Sequence, residues 1–107
     1  MTFDDIQKQI DEWANQFDSA YFPPLEQLSC LAEEVGEVAR ELNHLHGTKK
    51  KKDEEDKLGK ELADVMFTVC CIANSHGLKL QQYWNELMQK KLYGRDNQRF
   101  ERKEKDF

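Results

Sequence analysis

The chain has 107 residues, 38% hydrophobic and 35% charged, with a formal net charge of −5. That length holds a single domain with one modest core, and the acidic balance argues against general binding of a nucleic acid polymer. Its three cysteines, Cys30, Cys70 and Cys71, lack a C-x-x-C spacing and so suggest neither a disulfide framework nor a zinc site. No apolar run has the length of a membrane span, and the start does not read as a signal peptide, so a cytoplasmic protein without membrane contact is expected.

Thr2 can cap a first helix, with Asp4 and Asp5 favoured in its opening turn by the helix dipole. Phe3, Ile6, Ile10, Trp13 and Phe17 recur at spacings of three and four, which predicts a helix ending near Phe17 with these residues inward. Residues 18–22 form a link. Pro23-Pro24 then permits a helix start, and Gly47 is a natural stop, so a second helix is expected from Pro24 to about His46.

Two stripes run side by side along that second helix. Leu28, Leu31, Val35, Val38, Leu42 and Leu45 form the expected core stripe. Gln27, Cys30, Glu34, Glu37 and Glu41 form the next, one residue out of phase, so the acids should flank the core. Gly36, costly in a helix interior by about 1 kcal/mol against Ala, suggests close approach by another helix. The charged run 49–56 reads as a solvated loop.

A third helix should begin at 54–58 and end near His76-Gly77. Leu58, Leu62, Val65, Val69 and Ile72 form its stripe, widened by Met66 and Ala73. Glu61 and Asp64 interrupt this most apolar helix. A fourth helix is expected over Leu80–Tyr93, with Leu80, Tyr83, Trp84, Leu87, Met88 and Leu92 inward and Gly94 as its end. The segment 95–107 is a basic tail: residues 90–107 carry seven basic and four acidic side chains, against two basic and ten acidic in residues 1–48.

The chemistry-bearing pattern is the acid-x-x-acid spacing, present as Glu34 with Glu37 and again as Glu61 with Asp64. Side chains at i and i+3 share a helix face one turn apart, so each pair is repulsive by itself. Held at the rim of a core, such pairs would be relieved by a divalent cation. Oxygen-only ligands suit Mg²⁺, with Mn²⁺ as an alternative. A redox di-metal bundle, whose sites are built on Glu-x-x-His motifs, is not expected.

LAEEVGEVARELNH followed by KELADVMFTVCCIANSHG, with YFPPLEQL before and KKLYGRDNQRFERKEK after, resembles the all-α MazG-like nucleotide pyrophosphohydrolases. It is most similar to their small single-domain YpjD-like members. The resemblance implies one all-α domain over 1–107 with a four-helix, bundle-like MazG-type fold whose helices are completed by oligomerisation, as a homodimer or homotetramer. It implies hydrolysis of a nucleoside triphosphate to the monophosphate and pyrophosphate, in nucleotide-pool housekeeping. Mg²⁺ would be held by Glu34, Glu37, Glu61 and Asp64, and Glu33 or Glu34 would take the attacking water's proton. Lys91, Arg95 and Arg99 are the candidates for the phosphates, and Tyr21, Phe22 and His44 for the base. The alternative from another class is a non-catalytic helical interaction module whose acidic cluster binds a cation or a basic partner.

Overall fold

In a computed structural model, residues 1–47, 57–101 and 103 are described; the charged run 49–56 and the last residues of the tail lie outside them. The described residues form helices α1 (Phe3–Ala14), α2 (Pro24–His46), α3 (Leu58–Ser75) and α4 (Leu80–Glu86) and contain no strand. α4 runs directly into a π-helical segment, Leu87–Arg95, and a single 3₁₀ turn, Asp96–Gln98. None of these helices is long and apolar enough to cross a membrane.

α1 starts on a reciprocal cap. Thr2 Oγ1 accepts from the Asp5 amide at 3.1 Å and Asp5 accepts from the Thr2 amide at 2.8 Å, which satisfies two orphan donors of the first turn. The same bonds hold the Asp5 carboxyl below its ordinary value. α1 stops at Ala14, short of the expected Phe17. Beyond it Gln16 donates to Trp13 O from both its amide at 3.3 Å and its Nε2 at 3.0 Å, so the carbonyl that the Phe17 amide would use in a further turn is taken. α2 has the expected bounds, with Pro24 in its first turn and the Gly47 amide closing on Asn43 O at 2.9 Å. α3 ends through Gly77, whose φ of 66° lies in the left-handed region that suits glycine.

α2 packs along α3, α1 packs on α3, and α4 returns to α1. The packing corrects the expected core. Gln27 and Glu41 of α2 are buried, as are Glu61 and Thr68 of α3, whereas Leu28, Val35, Leu42 and Leu45 are exposed at 59%, 52%, 43% and 40%. On α3, Leu62, Met66 and Val69 are likewise exposed. The row containing the acids therefore carries much of the helix contact within one chain, with only Leu31 and Val38 of the leucine-valine row half-buried beside it. Polar groups meet there: Gln27 Nε2 donates to Ser75 Oγ at 3.1 Å, and Glu34 approaches Glu61 and Asp64. The side expected to accept a helix at Gly36 has nothing within 4 Å of where a Cβ would stand.

A second buried polar knot fixes α1 to the α3–α4 turn. Gln7 Nε2 donates to Asn74 Oδ1 at 2.8 Å and to Leu78 O at 2.9 Å, while its Oε1 accepts from the Leu80 amide at 2.9 Å. Every polar atom of this buried side chain is thus used, as burial requires. Asn74 donates onward to Gln7 O and to the Tyr21 hydroxyl at 3.0 Å, so the knot also anchors the link between α1 and α2.

Candidate functional site

Where α2 crosses the first two turns of α3, Glu34, Glu61 and Asp64 each offer a carboxylate oxygen within 4.8 Å of the others. Glu61 is buried, and Glu34 and Asp64 are partly exposed. Three like charges so placed oppose one another. The Glu34 carboxyl is held above its ordinary value, first by loss of solvent and then by the charges of Asp64 and Glu61. All-oxygen donors converging at this separation fit a hard divalent ion, which would remove the repulsion.

Lys60 supplies part of that positive charge. Its Nζ lies 3.0 Å from Asp64 Oδ2 and 3.7 Å from Glu61, and the bond to Asp64 is the first cause of its raised pKa. The sequence reading did not single out Lys60, although its position four residues before Asp64 puts both on one helix face. Glu37 stands apart from the trio. One turn beyond Glu34, it lies 3.7 Å from the Arg40 guanidinium and is half-exposed. Glu33 is exposed and outside the trio.

Beside the carboxylates opens a cavity of about 530 Å³, walled by Trp13, Phe17, Tyr21, Phe22 and Phe67 with Glu34 and Asp64 on its rim. Trp13 stands edge-on to Phe17 and Phe67, with ring centroids 5.3 Å and 6.0 Å away. Trp13 and Phe17, expected in the core, are 52% and 55% exposed and line this space instead. Trp13 sits in the last turn of α1 and Phe17 just beyond its end, and both rings line the space beside the α2–α3 groove. Tyr21 is fixed by two bonds. Its hydroxyl donates to Asp11 Oδ1 at 2.6 Å and accepts from Asn74, and burial followed by the Asp11 bond pushes it up to about 12. Cys30 and Cys71 also face the cavity, and burial raises the Cys71 thiol to about 11, which keeps it protonated and unreactive.

The remaining expected site residues lie elsewhere in the chain. Lys91 is exposed within the π-helical segment. Arg95 Nε and Arg99 Nη1 lie 3.0 Å and 3.5 Å from Asp96 Oδ1, and the Arg95 bond is the first cause of the lowered Asp96 pKa. None of these three basic residues lines the aromatic cavity. His44 does not line it either: its side chain is buried on α2 with Glu41 Oε1 3.9 Å from its Nδ1.

Comparison with known proteins gives concordant results. Residues 22–100 match the family model described as the MazG nucleotide pyrophosphohydrolase domain. The chain is 42% identical over 105 residues to the uncharacterized protein YpjD of Bacillus subtilis (strain 168), covering 96% of this chain and 94% of that one. The crystal structure of Bacillus subtilis YpjD superposes with a TM-score of 0.78 at 42% identity, over 85% of this chain and 95% of that one. A Bacillus-conserved MazG protein, described as a nucleotide pyrophosphohydrolase, superposes with a TM-score of 0.73 at 38% identity, over 85% and 89% of the two chains.

Proposed function

The chain belongs to the MazG nucleotide pyrophosphohydrolase family, and from that premise we propose that it hydrolyses a nucleoside triphosphate to the monophosphate and pyrophosphate with Mg²⁺ or Mn²⁺ as cofactor. The observation that carries this reading is the trio of Glu34, Glu61 and Asp64 at the rim of an aromatic cavity. Such an arrangement offers a flat base a stacking surface beside a place for a metal-bound phosphate chain.

Glu34, Glu61 and Asp64 would hold the cation, and Glu37, which now faces Arg40, would be the fourth candidate ligand. When bound, the ion neutralises phosphate oxygens and acidifies a water molecule. A water oxygen then bonds to the α-phosphorus as the bond to the α–β bridging oxygen breaks, and pyrophosphate departs. Of the two candidates for accepting the water's proton, Glu34 lies beside the other acids, whereas Glu33 is exposed outside them. Glu34 is therefore the better placed. Tyr21 and Phe22, with Trp13, Phe17 and Phe67, hold the base.

Two copies of the chain complete the site. The outward row of Leu28, Val35, Leu42 and Leu45 is an apolar helix face that a second copy would cover. Pairing would also give Lys91, Arg95 and Arg99 of one copy a triphosphate to hold in the cavity of the other. The protein is then a cytoplasmic homodimer or homotetramer, with 1–107 acting as one catalytic domain.

The test is incubation with mixed dNTPs and Mg²⁺, followed by separation of the products. Monophosphate with pyrophosphate is the expected result. Monophosphate with orthophosphate would point to stepwise removal of phosphates. No product from any nucleotide, with Mg²⁺ still bound, would leave a cation-binding interaction module.

A further inference from the structure

We propose that Glu41 and His44 form a second cation site, distinct from the carboxylate trio and selective for a transition-metal ion such as Zn²⁺ or Co²⁺ over Mg²⁺. The two side chains are 8% and 9% exposed, so both are more than nine-tenths buried. Glu41 Oε2 and His44 Nδ1 have no hydrogen-bond partner among the described residues. Buried polar atoms are rarely left so, and a bound ion is one of the few reasons for it.

The geometry favours an ion over a direct bond. Glu41 Oε1 and His44 Nδ1 are 3.9 Å apart, too far for a hydrogen bond. Two bonds of about 2.0–2.2 Å to a shared zinc-like ion in tetrahedral geometry put the ligand atoms roughly 3.4 Å apart, so a side-chain shift of about half an ångström on this one helix brings both atoms onto an ion. The spacing is Glu-x-x-His, which puts a carboxylate and an imidazole on one face of a helix. Carboxylate-rich metal bundles use the same pair. The chain carries only this one copy, so waters supply the remaining ligands and the site is not a redox di-metal centre.

Donor chemistry separates the two sites. The trio offers only oxygen and suits Mg²⁺ or Mn²⁺, whereas an imidazole nitrogen favours a later transition-metal ion such as Zn²⁺. His44 is also the suitable histidine of the three in the chain. His46 is exposed, and His76 is exposed with its Nδ1 2.8 Å from Ile72 O.

The test is Zn²⁺ binding to the full chain by calorimetry in saturating Mg²⁺, which occupies the trio. One Zn²⁺ per chain is expected to bind under those conditions. Its affinity should fall roughly tenfold or more in His44→Gln and in Glu41→Gln, since loss of even an outer-shell partner costs that much. His76→Gln should bind like the parent. If a variant misfolds, the unmodified protein still decides: Co²⁺ added in excess Mg²⁺ should shift and broaden the His44 imidazole resonances selectively. Absence of Zn²⁺ binding in Mg²⁺, unchanged binding in both variants, or Co²⁺ effects confined to His46 or His76 would overturn the proposal. None of these outcomes depends on nucleotide turnover.

Discussion

Helix α2 has two long faces, and they are built on opposite terms. The face turned to α3 buries Gln27 and Glu41 and brings Glu34 to Glu61 and Asp64. The adjacent face shows Leu28, Val35, Leu42 and Leu45 to solvent. A helix folding for its own stability would bury the leucines, at about 25 cal/mol per Å² of apolar area. Here the polar face makes the internal contact, so one chain assembles the charged groove and leaves four apolar side chains of α2 exposed. Covering that strip with a second surface would add the apolar burial that the single chain forgoes.

The largest expected effect breaks the inward face. Asp64→Asn should lower nucleotide turnover by more than ~100-fold, exceeding the loss typical of an outer-shell residue, with helix content by circular dichroism unchanged. Glu37→Gln sharpens the comparison: loss of turnover would make Glu37 a ligand in the working enzyme, and normal turnover would assign it to Arg40 alone. Breaking the outward face comes next. Val35→Glu with Leu42→Glu should shift the mass measured by light scattering to that of one chain and sharply reduce activity, while Leu78→Glu, exposed off both faces of α2, should not change the mass.

A smaller effect is expected from the aromatic wall. Trp13→Ala should raise KM with less change in kcat, because base–aromatic stacking contributes about 1–3 kcal/mol. The smallest concerns Glu34 in metal-free protein. Its folded pKa is above the ordinary 4.5, so between those values the folded chain binds more protons than the unfolded one. Its contribution to stability is therefore present below pH 4.5 and is lost as pH rises through the elevated value. A thermal melting series should show that trend flattened in Glu34→Gln, and saturating Mg²⁺ should stabilise most at the higher pH, where Glu34 is ionised.

Local punctuation made α2 legible. Pro23-Pro24 and Gly47 act through their own backbones, so the bounds Pro24–His46 follow without knowledge of any neighbour. Spacing along two successive helices anticipated a quartet of acids, of which Glu34, Glu61 and Asp64 converge while Glu37 stands at Arg40. The orientation of α2 was not. Its two stripes lie only about 100° apart, and which one turns inward depends on what α3 presents. Trp13 and Phe17 were misread for a related reason, since a spacing of three to four places rings on one face but says nothing of what covers that face. The π-helical turns of 87–95 also have no clear periodic signal.

The sequence by itself determined an all-α chain and the bounds of its longest helix, because capping, proline geometry and helical period act within a few residues. Only the tertiary structure decided that the polar row meets α3, that Lys60 leans over the acids, that an aromatic cavity opens beside them, and that Glu41 Oε2 and His44 Nδ1 are buried with no hydrogen-bond partner among the described residues. Those outcomes depend on contacts between helices that are distant in the chain, where complementarity of whole faces, rather than the preference of any one residue, sets the minimum of free energy.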